Sequence, residues 1–290
     1  MDSWINNMRN FILITNEQKD ENLKLSRQIV AYIRSKGGTA KILISSVERL
    51  DEGDFELDEI PEETECILVL GGDGTLIRAA TKVESRQIPL IGVNLGTLGY
   101  LCELEESTVM SAVDCLMRDE YMMEERMMLT GHRSGDPGSR RALNDIVIHR
   151  TGELSILSLK VYVNGELLTT YYADGVIVAT PTGSTGYNMS AGGPIVDPKA
   201  KMLLLTPINA HNLNSKSIVL GAEDVIEIEI GKRRMQNDEQ AGVSFDGDSV
   251  EKLCVGERFI ISQAYHFTRI CKLSNKSFLE ILRKKMETYT

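Results

Sequence analysis

The run Leu70-Gly71-Gly72-Asp73-Gly74-Thr75-Leu76-Ile77-Arg78 places three glycines around a single carboxylate. Glycine leaves a backbone bare enough for a phosphate chain to approach, and the N–H groups of a tight turn can cradle an anion. A carboxylate inside such a nest is out of place for simple anion binding, because it repels phosphate. Asp73 makes chemical sense if it accepts the proton of an attacking hydroxyl or helps to hold Mg2+. The plain alternative is a tight turn with a helix-capping Asp, since Gly and Asp are both common in turns. Contact with a phosphate and exposure on a first helical turn suit Arg78 equally.

A second run, Asp174-Gly175-Val176-Ile177-Val178-Ala179-Thr180-Pro181-Thr182-Gly183-Ser184-Thr185-Gly186-Tyr187, leads from an apolar strand into small hydroxyl and glycine residues, and Ala191-Gly192-Gly193-Pro194 follows. Such a run can offer hydroxyl and backbone donors to phosphate or sugar, with Tyr187 as an aromatic face. Taken alone, it also reads as an ordinary Ser/Thr/Gly loop.

These runs need elements to position them. Over the first 120 or so residues, strand and helix signals alternate. Phe11–Ile14, Lys41–Ile44, Cys66–Leu70 and Pro89–Val93 are short, nearly continuous apolar strands. Glu17–Ser35 carries a helical pattern stopped by Gly37-Gly38, and Ser107 is placed to cap a helix to about Arg118. Continuous apolar strands separated by helices predict a parallel sheet covered on both faces. The glycine turn then falls at a strand's carboxyl end, where open α/β sheets bind ligands. Past Tyr121 the texture is β-rich: Ile146–Ile148, Leu157–Val163, Gly175–Thr180 and Val225–Ile230, with Asn164-Gly165 as a hairpin signal. Ser277–Met286 reads as a helix again. The expected fold is a Rossmann-like α/β domain over 1–122, joined by 270–290, and an all-β domain over 123–269.

Composition bounds the rest. A 290-residue chain with net charge −10 disfavours broad binding to nucleic acid or anionic membranes, so any phosphate site must be local. The five cysteines are dispersed without CxxC spacing, which reads as reduced thiols in the cytoplasm rather than a disulfide frame or zinc site. The apolar run at 11–14 is too short for a signal peptide, and no stretch approaches a membrane span. Gly92-Val-Asn-Leu-Gly96-Thr-Leu-Gly99 lacks the GxGxxG spacing of a dinucleotide fingerprint. Lys232-Arg233-Arg234 reads as a solvated turn, His132, His149 and His266 as core or surface residues, and Met122, Met123, Met127 and Met128 as packing.

With those segments in view, the sequence resembles the NAD kinase family. The likeness lies in Gly71–Thr75 and Thr180–Tyr187, with further matching stretches at Asn94–Leu101, Leu143-Asn144-Asp145 and Thr206–His211. The glycine-aspartate turn is shared with lipid kinases and phosphofructokinases, whereas the hydroxyl-rich run separates NAD kinases from them. The resemblance implies phosphorylation of the adenosine-ribose 2′-hydroxyl of NAD by ATP or polyphosphate. Asp73 would be the general base, with Gly71, Gly72, Gly74, Thr75, Arg78 and Asn94 among the nucleotide contacts. Tyr100 would line the adenosine pocket, Asn144 and Asp145 would bind the ribose hydroxyls, and Asp174 would sit beside the nicotinamide end. Thr182, Gly183, Ser184, Thr185, Gly186 and Tyr187 would wrap the dinucleotide, with His211 near an inter-subunit site of a homodimer or homotetramer.

Two positions depart from the family pattern. Asp145 stands where Glu is usual, one methylene shorter, and Gly186 where Ala is common. Asp246 and Asp248 match a weaker region and are not expected to touch substrate. Mg2+ or another divalent cation would arrive on the donor's phosphates, without a protein metal cage. Two other readings remain: a diacylglycerol-type lipid kinase, which NAD and lipid assays would separate, and a sensor that binds NAD without forming NADP.

Overall fold

The computed structural model describes residues 7–45, 55–96, 99–151, 156–211, 215–232, 240–273 and 277–288. Contacts divide the chain into two compact units, Met1–Glu125 with Thr268–Thr290, and Arg126–Phe267. Arg233 and Arg234 lie outside the described residues.

In the first unit the strands are β1 (Asn10–Asn16), β2 (Thr39–Ser45), β3 (Cys66–Gly71), β4 (Leu90–Asn94), β5 (Leu104–Glu105) and β6 (Met122–Arg126). The helices are α1 (Lys24–Ser35), α2 (Asp73–Val83) and α3 (Val109–Met117). In the second unit β7 (Leu129–Arg133), β8 (Arg140–Ala142), β9 (Asp145–Arg150), β10 (Leu157–Val163), β11 (Glu166–Ala173) and β12 (Gly175–Ala179) precede the short α4 (Tyr187–Ser190). Then come β13 (Met202–Ile208), β14 (Ile218–Gly221), β15 (Ile226–Ile230), β16 (Gln240–Phe245), β17 (Asp248–Cys254) and β18 (Arg258–Gln263). The chain returns to the first unit as β19 (Thr268–Lys272) and α5 (Phe278–Thr288).

The first sheet runs β2-β1-β3-β4-β19-β6, with β5 beside β4; β1, β2, β3 and β4 pair in parallel. Every residue of β3 is buried, because the strand is covered on both sides. Cys66, Leu68 and Leu70 share a core with Leu25, Ile29 and Ile33 of α1 and Val109, Val113 and Leu116 of α3. On the other side α2 buries Leu76, Ala79, Ala80 and Val83. Two-sided burial is why these strands read as unbroken apolar runs.

Two helix starts differ from the sequence reading. The helix expected from Glu17 begins at Lys24. Asn16 first forms a turn, with the N–H groups of Lys19 and Asp20 on its carbonyl and that of Gln18 on its side chain. Buried Asp20 then accepts the N–H groups of Leu25 and Ser26. Near residue 107 a capping box is formed by Glu105 and Thr108, not by Ser107.

Two antiparallel sheets build the second unit, β11-β10-β15-β18-β7-β8 and β14-β13-β12-β9-β16-β17. One core joins them: Leu159, Val161, Ile228, Phe259 and Ile261 of the first against Ile146, Ile148, Val176, Val178 and Val243 of the second. Phe245 and Phe259 meet across it edge to face at 6.1 Å. The outer face of β12 is buried too, Ile177 and Ala179 packing with Val147, Leu204 and Val196. Asn164 and Gly165 both take positive φ at the β10–β11 hairpin, as an Asn-Gly turn requires.

Candidate active site

In the first unit the glycine turn closes β3 and opens α2. Gly72 is the N-cap with no side chain capping the helix, so the α2 N-terminus is open to an anion. Asp73 is the first helical residue, and its carboxylate is fixed by the chain after β4. Oδ2 accepts the Tyr100 N–H at 2.6 Å, and Oδ1 accepts those of Leu101 and Cys102 at 3.1 Å each. An ionised carboxylate offers about four lone-pair sites, and the backbone N–H groups take three of them.

The seat tolerates no side chain at Gly99, where a Cβ would stand 1.9 Å from Asp73 Oδ1. Below it, the Cys102 thiol is held well above the usual thiol range, by burial and then by the Asp73 carboxylate. It therefore stays protonated and donates toward Asp73. Gly71 is closed by Thr75, whose hydroxyl a Cβ would meet at 2.4 Å; Thr75 is buried and serves the turn. Gly74 faces open space. Arg78 is half-buried, with a buried Nε that makes no hydrogen bond among the described residues. Asn94 donates to the Gly96 carbonyl at 2.9 Å. The Tyr100 ring lies against α5, 6.4 Å from the Phe278 ring, with the Lys285 ammonium 4.4 Å over it.

In the second unit a cleft of about 590 Å³ is lined by Asn144, Asp145, His149, Asp174, Tyr187, Asn209 and their neighbours, within the size range of small-molecule sites. Its floor is β9, where Asp145, Val147 and His149 alternate toward the cleft while Ile146 and Ile148 face the core. Asp246, at positive φ in the turn after β16, holds the rim. Its carboxylate accepts the N–H groups of Leu143, Asn144 and Asp145 at 2.7, 2.7 and 3.0 Å. Asp145 is buried; burial, and then the Asp246 charge, push its carboxyl up to about 7. Asp174 pairs with Arg150 Nε at 3.0 Å and accepts from Asn209 Nδ2 at 3.0 Å. His149 Nδ1 donates to the Arg150 carbonyl and Nε2 is hydrogen-bonded with the Ser244 hydroxyl, each at 3.0 Å.

The hydroxyl-rich run divides into a buried half and an open half. Thr180 donates to the Leu143 carbonyl, Ser184 ties to the Val196 backbone, and Thr182 lies within reach of Arg126. Gly183 lies so close to the Asn144 carbonyl that a Cβ would stand 2.2 Å from it. Thr185 and Gly186 are half-buried and Tyr187 is exposed.

Family models describe the same two halves. The ATP-NAD kinase N-terminal domain matches residues 11–121 and the ATP-NAD kinase C-terminal domain residues 143–273. The chain belongs to the NAD kinase family. It is 66% identical to the NAD kinase of Agathobacter rectalis over 98% of this chain and 100% of that one. Against the NAD kinase of Lachnospira eligens identity is 42%, over 96% and 100%. The fold is also that of yeast NADH kinase crystallised with NADH (TM-score 0.82, 23% identity, 97% of this chain and 88% of that one). It is shared with an NAD kinase from Archaeoglobus fulgidus in complex with ATP (TM-score 0.74, 23% identity, 96% and 99%). This agrees with the α/β plus all-β fold expected from the sequence.

Of the positions matched to NAD kinases, Asp73, Gly71, Gly72, Gly74, Thr75, Arg78, Asn94 and Tyr100 lie in the first unit. Asn144, Asp145, Asp174 and Tyr187 gather at the cleft of the second. His211 is exposed, its N–H bonded to the Tyr172 carbonyl at 2.8 Å, and is not among the cleft residues. Sequence reasoning took His149 for a core or surface residue, held Asn209 only within the family-like stretch Thr206–His211, and passed over Arg150 and Ser244. The alternation Asp145-Val147-His149 was a signal for the first, because period-two spacing puts it on the carboxylate's face.

Proposed function

We propose that this chain transfers the γ-phosphoryl group of ATP to the adenosine-ribose 2′-hydroxyl of NAD, giving NADP, with Asp73 as general base. The observation that carries the reading is the Asp73 carboxylate, held at an uncapped helix N-terminus by three backbone donors. The 2′-oxygen attacks the γ-phosphorus as its proton passes to Asp73. The bond from phosphorus to the β,γ-bridging oxygen breaks, and its electron pair leaves with ADP. Inorganic polyphosphate would serve through the same leaving-group chemistry.

For the dinucleotide we assign the second unit's cleft: Asn144 and Asp145 to the ribose hydroxyls, Asp174 to the nicotinamide end, and Thr182–Tyr187 around it. Buried Thr182 and Ser184 shape this loop, while Thr185, Gly186 and Tyr187 are open to contact. The donor set suits a cation that arrives on phosphates, because Asp73 is committed to backbone N–H groups. Among the described residues, no group of three or more His, Cys, Asp or Glu is placed to hold a metal. Mg2+ or another divalent ion would neutralise phosphate charge there.

Free cysteines at all five positions support a cytoplasmic setting. No helix among the described residues is long and apolar enough to cross a membrane. A homodimer or homotetramer is supported by Leu167 and Leu168, exposed on edge strand β11, and light scattering would measure it. The central test is NADP formation from NAD with Mg-ATP, beside NADH and diacylglycerol as acceptors. Tight NAD binding without NADP formation would return the chain to the sensor reading.

A further inference from the structure

We propose that Lys19 binds the terminal phosphates of the phosphoryl donor, a residue and a role that the glycine motif itself does not name. The inference rests on the reading of Asp73 as the base and adds the group that neutralises the donor. Lys19 lies in the turn leaving β1, fixed by the Asn16 carbonyl on its own N–H at 3.0 Å and followed by buried Asp20. The sheet order β1-β3-β4 puts the carboxyl end of β1 beside the ends of β3 and β4. From there the side chain crosses both: its ammonium stands 3.2 Å from where a Cβ on Gly72 would lie and 3.7 Å from one on Gly96.

Two physical facts make this arrangement incomplete without an anion. Lys19 is exposed and its ammonium makes no ion pair or hydrogen bond among the described residues, although the chain carries net charge −10. It also sits at the N-terminal end of α2, where partial positive charge repels a cation. Asp73, the carboxylate in that turn, is already taken by the N–H groups of Tyr100, Leu101 and Cys102. A phosphate oxygen between the ammonium and the Gly72 turn relieves both conflicts at once. Apart from the 2′-hydroxyl on Asp73, the dinucleotide contacts assigned above belong to the second unit, and the phosphate that must arrive beside that hydroxyl is the donor's terminal one. Both ATP and inorganic polyphosphate end in that chemistry.

The test uses the full chain in steady state with Lys19→Met, Lys19→Arg and Asp73→Asn. A charge-assisted phosphate contact is expected to raise KM for ATP in Lys19→Met roughly tenfold to a hundredfold. KM for NAD should stay within about twofold, and Lys19→Arg should recover most of the loss. If the chain accepts inorganic polyphosphate, its KM should rise in parallel; a rise with ATP alone assigns the contact to the nucleotide donor. An unchanged KM for ATP in Lys19→Met, while Asp73→Asn has lost turnover, overturns the assignment to Lys19 and leaves the base in place. A rise in KM for NAD in place of ATP overturns it equally. Full turnover in Asp73→Asn instead removes the reading on which the inference rests.

Discussion

Asp73 and Asp145 are both half or wholly withdrawn from water, yet their surroundings give them opposite tasks. Asp73 is met by three N–H donors. Replacing it with Asn turns one acceptor oxygen into a donor facing a donor, and removes the proposed proton acceptor. Asp73→Asn should cut kcat by about 10²- to 10⁴-fold, with KM for NAD little changed. Gly99→Ala asks the same question with the carboxylate kept, because its Cβ would occupy the place of Oδ1. Turnover should fall by a comparable factor, and a Gly99→Ala enzyme with normal kcat would mean the observed seat is not needed. Asp145 meets burial and a like charge. Its carboxyl is raised from 3.8 to about 7, so the folded chain holds a proton that the unfolded chain has released. That contribution is complete below about pH 4 and is lost as pH rises through 7. Wild type should therefore lose stability relative to Asp145→Asn between pH 4 and 8, by on the order of a few kcal/mol; parallel Tm profiles would refute it. Gly186→Ala should be nearly neutral, since the added methyl meets Asn144 Nδ2 at 3.6 Å and only the Gly183 carbonyl, at 3.3 Å, is tight.

At the scale of elements, the turn carrying Asp246 fixes the residues proposed to bind ribose. Asp246→Ala releases three N–H groups at once, so KM for NAD should rise at least tenfold while KM for ATP holds, by analogy with the loss of hydrogen bonds to a charged group. Equal KM values in variant and wild type would make the anchor dispensable. What was legible in the sequence follows the same division. Strands β1, β3 and β4 were legible because two-sided burial writes an unbroken apolar run, and the β10–β11 hairpin because Asn-Gly needs positive φ. The glycine-aspartate turn was legible for its composition. Asp246 was not, since its work is done on backbone N–H groups about a hundred residues away, which leave no pattern in side chains. The start of α1 was misread for a related reason: apolar spacing continued through Leu23, but Asn22 and Leu23 take positive φ and the helix waits for Asp20 to accept its first N–H groups. Lys19 was invisible as anything but one charge among many.

At the scale of the molecule, each unit has its own core, and the second depends on two sheets meeting through Phe245 and Phe259. Phe259 is fully buried there, so Phe259→Ala should cost about 3–5 kcal/mol, read as an earlier denaturant midpoint of the second unit. The first unit is built differently. Its sheet is finished by β19, which lies between β4 and β6 and is reached only after the whole second unit has been laid down. A ribosome that has delivered residues 1–125 has thus produced a sheet with a gap: beyond β3, β4 is paired only through β5 at Val93 and Asn94, its Leu90 end that β19 will take is open, and β6 lacks its neighbour. Such an edge invites pairing with other chains, and closing it joins Leu90 to Ile270 across the whole second unit, which slows folding. Synthesis therefore leaves the first unit vulnerable until β19 emerges, and a fragment ending at residue 125 should be recovered as aggregate rather than as a folded domain.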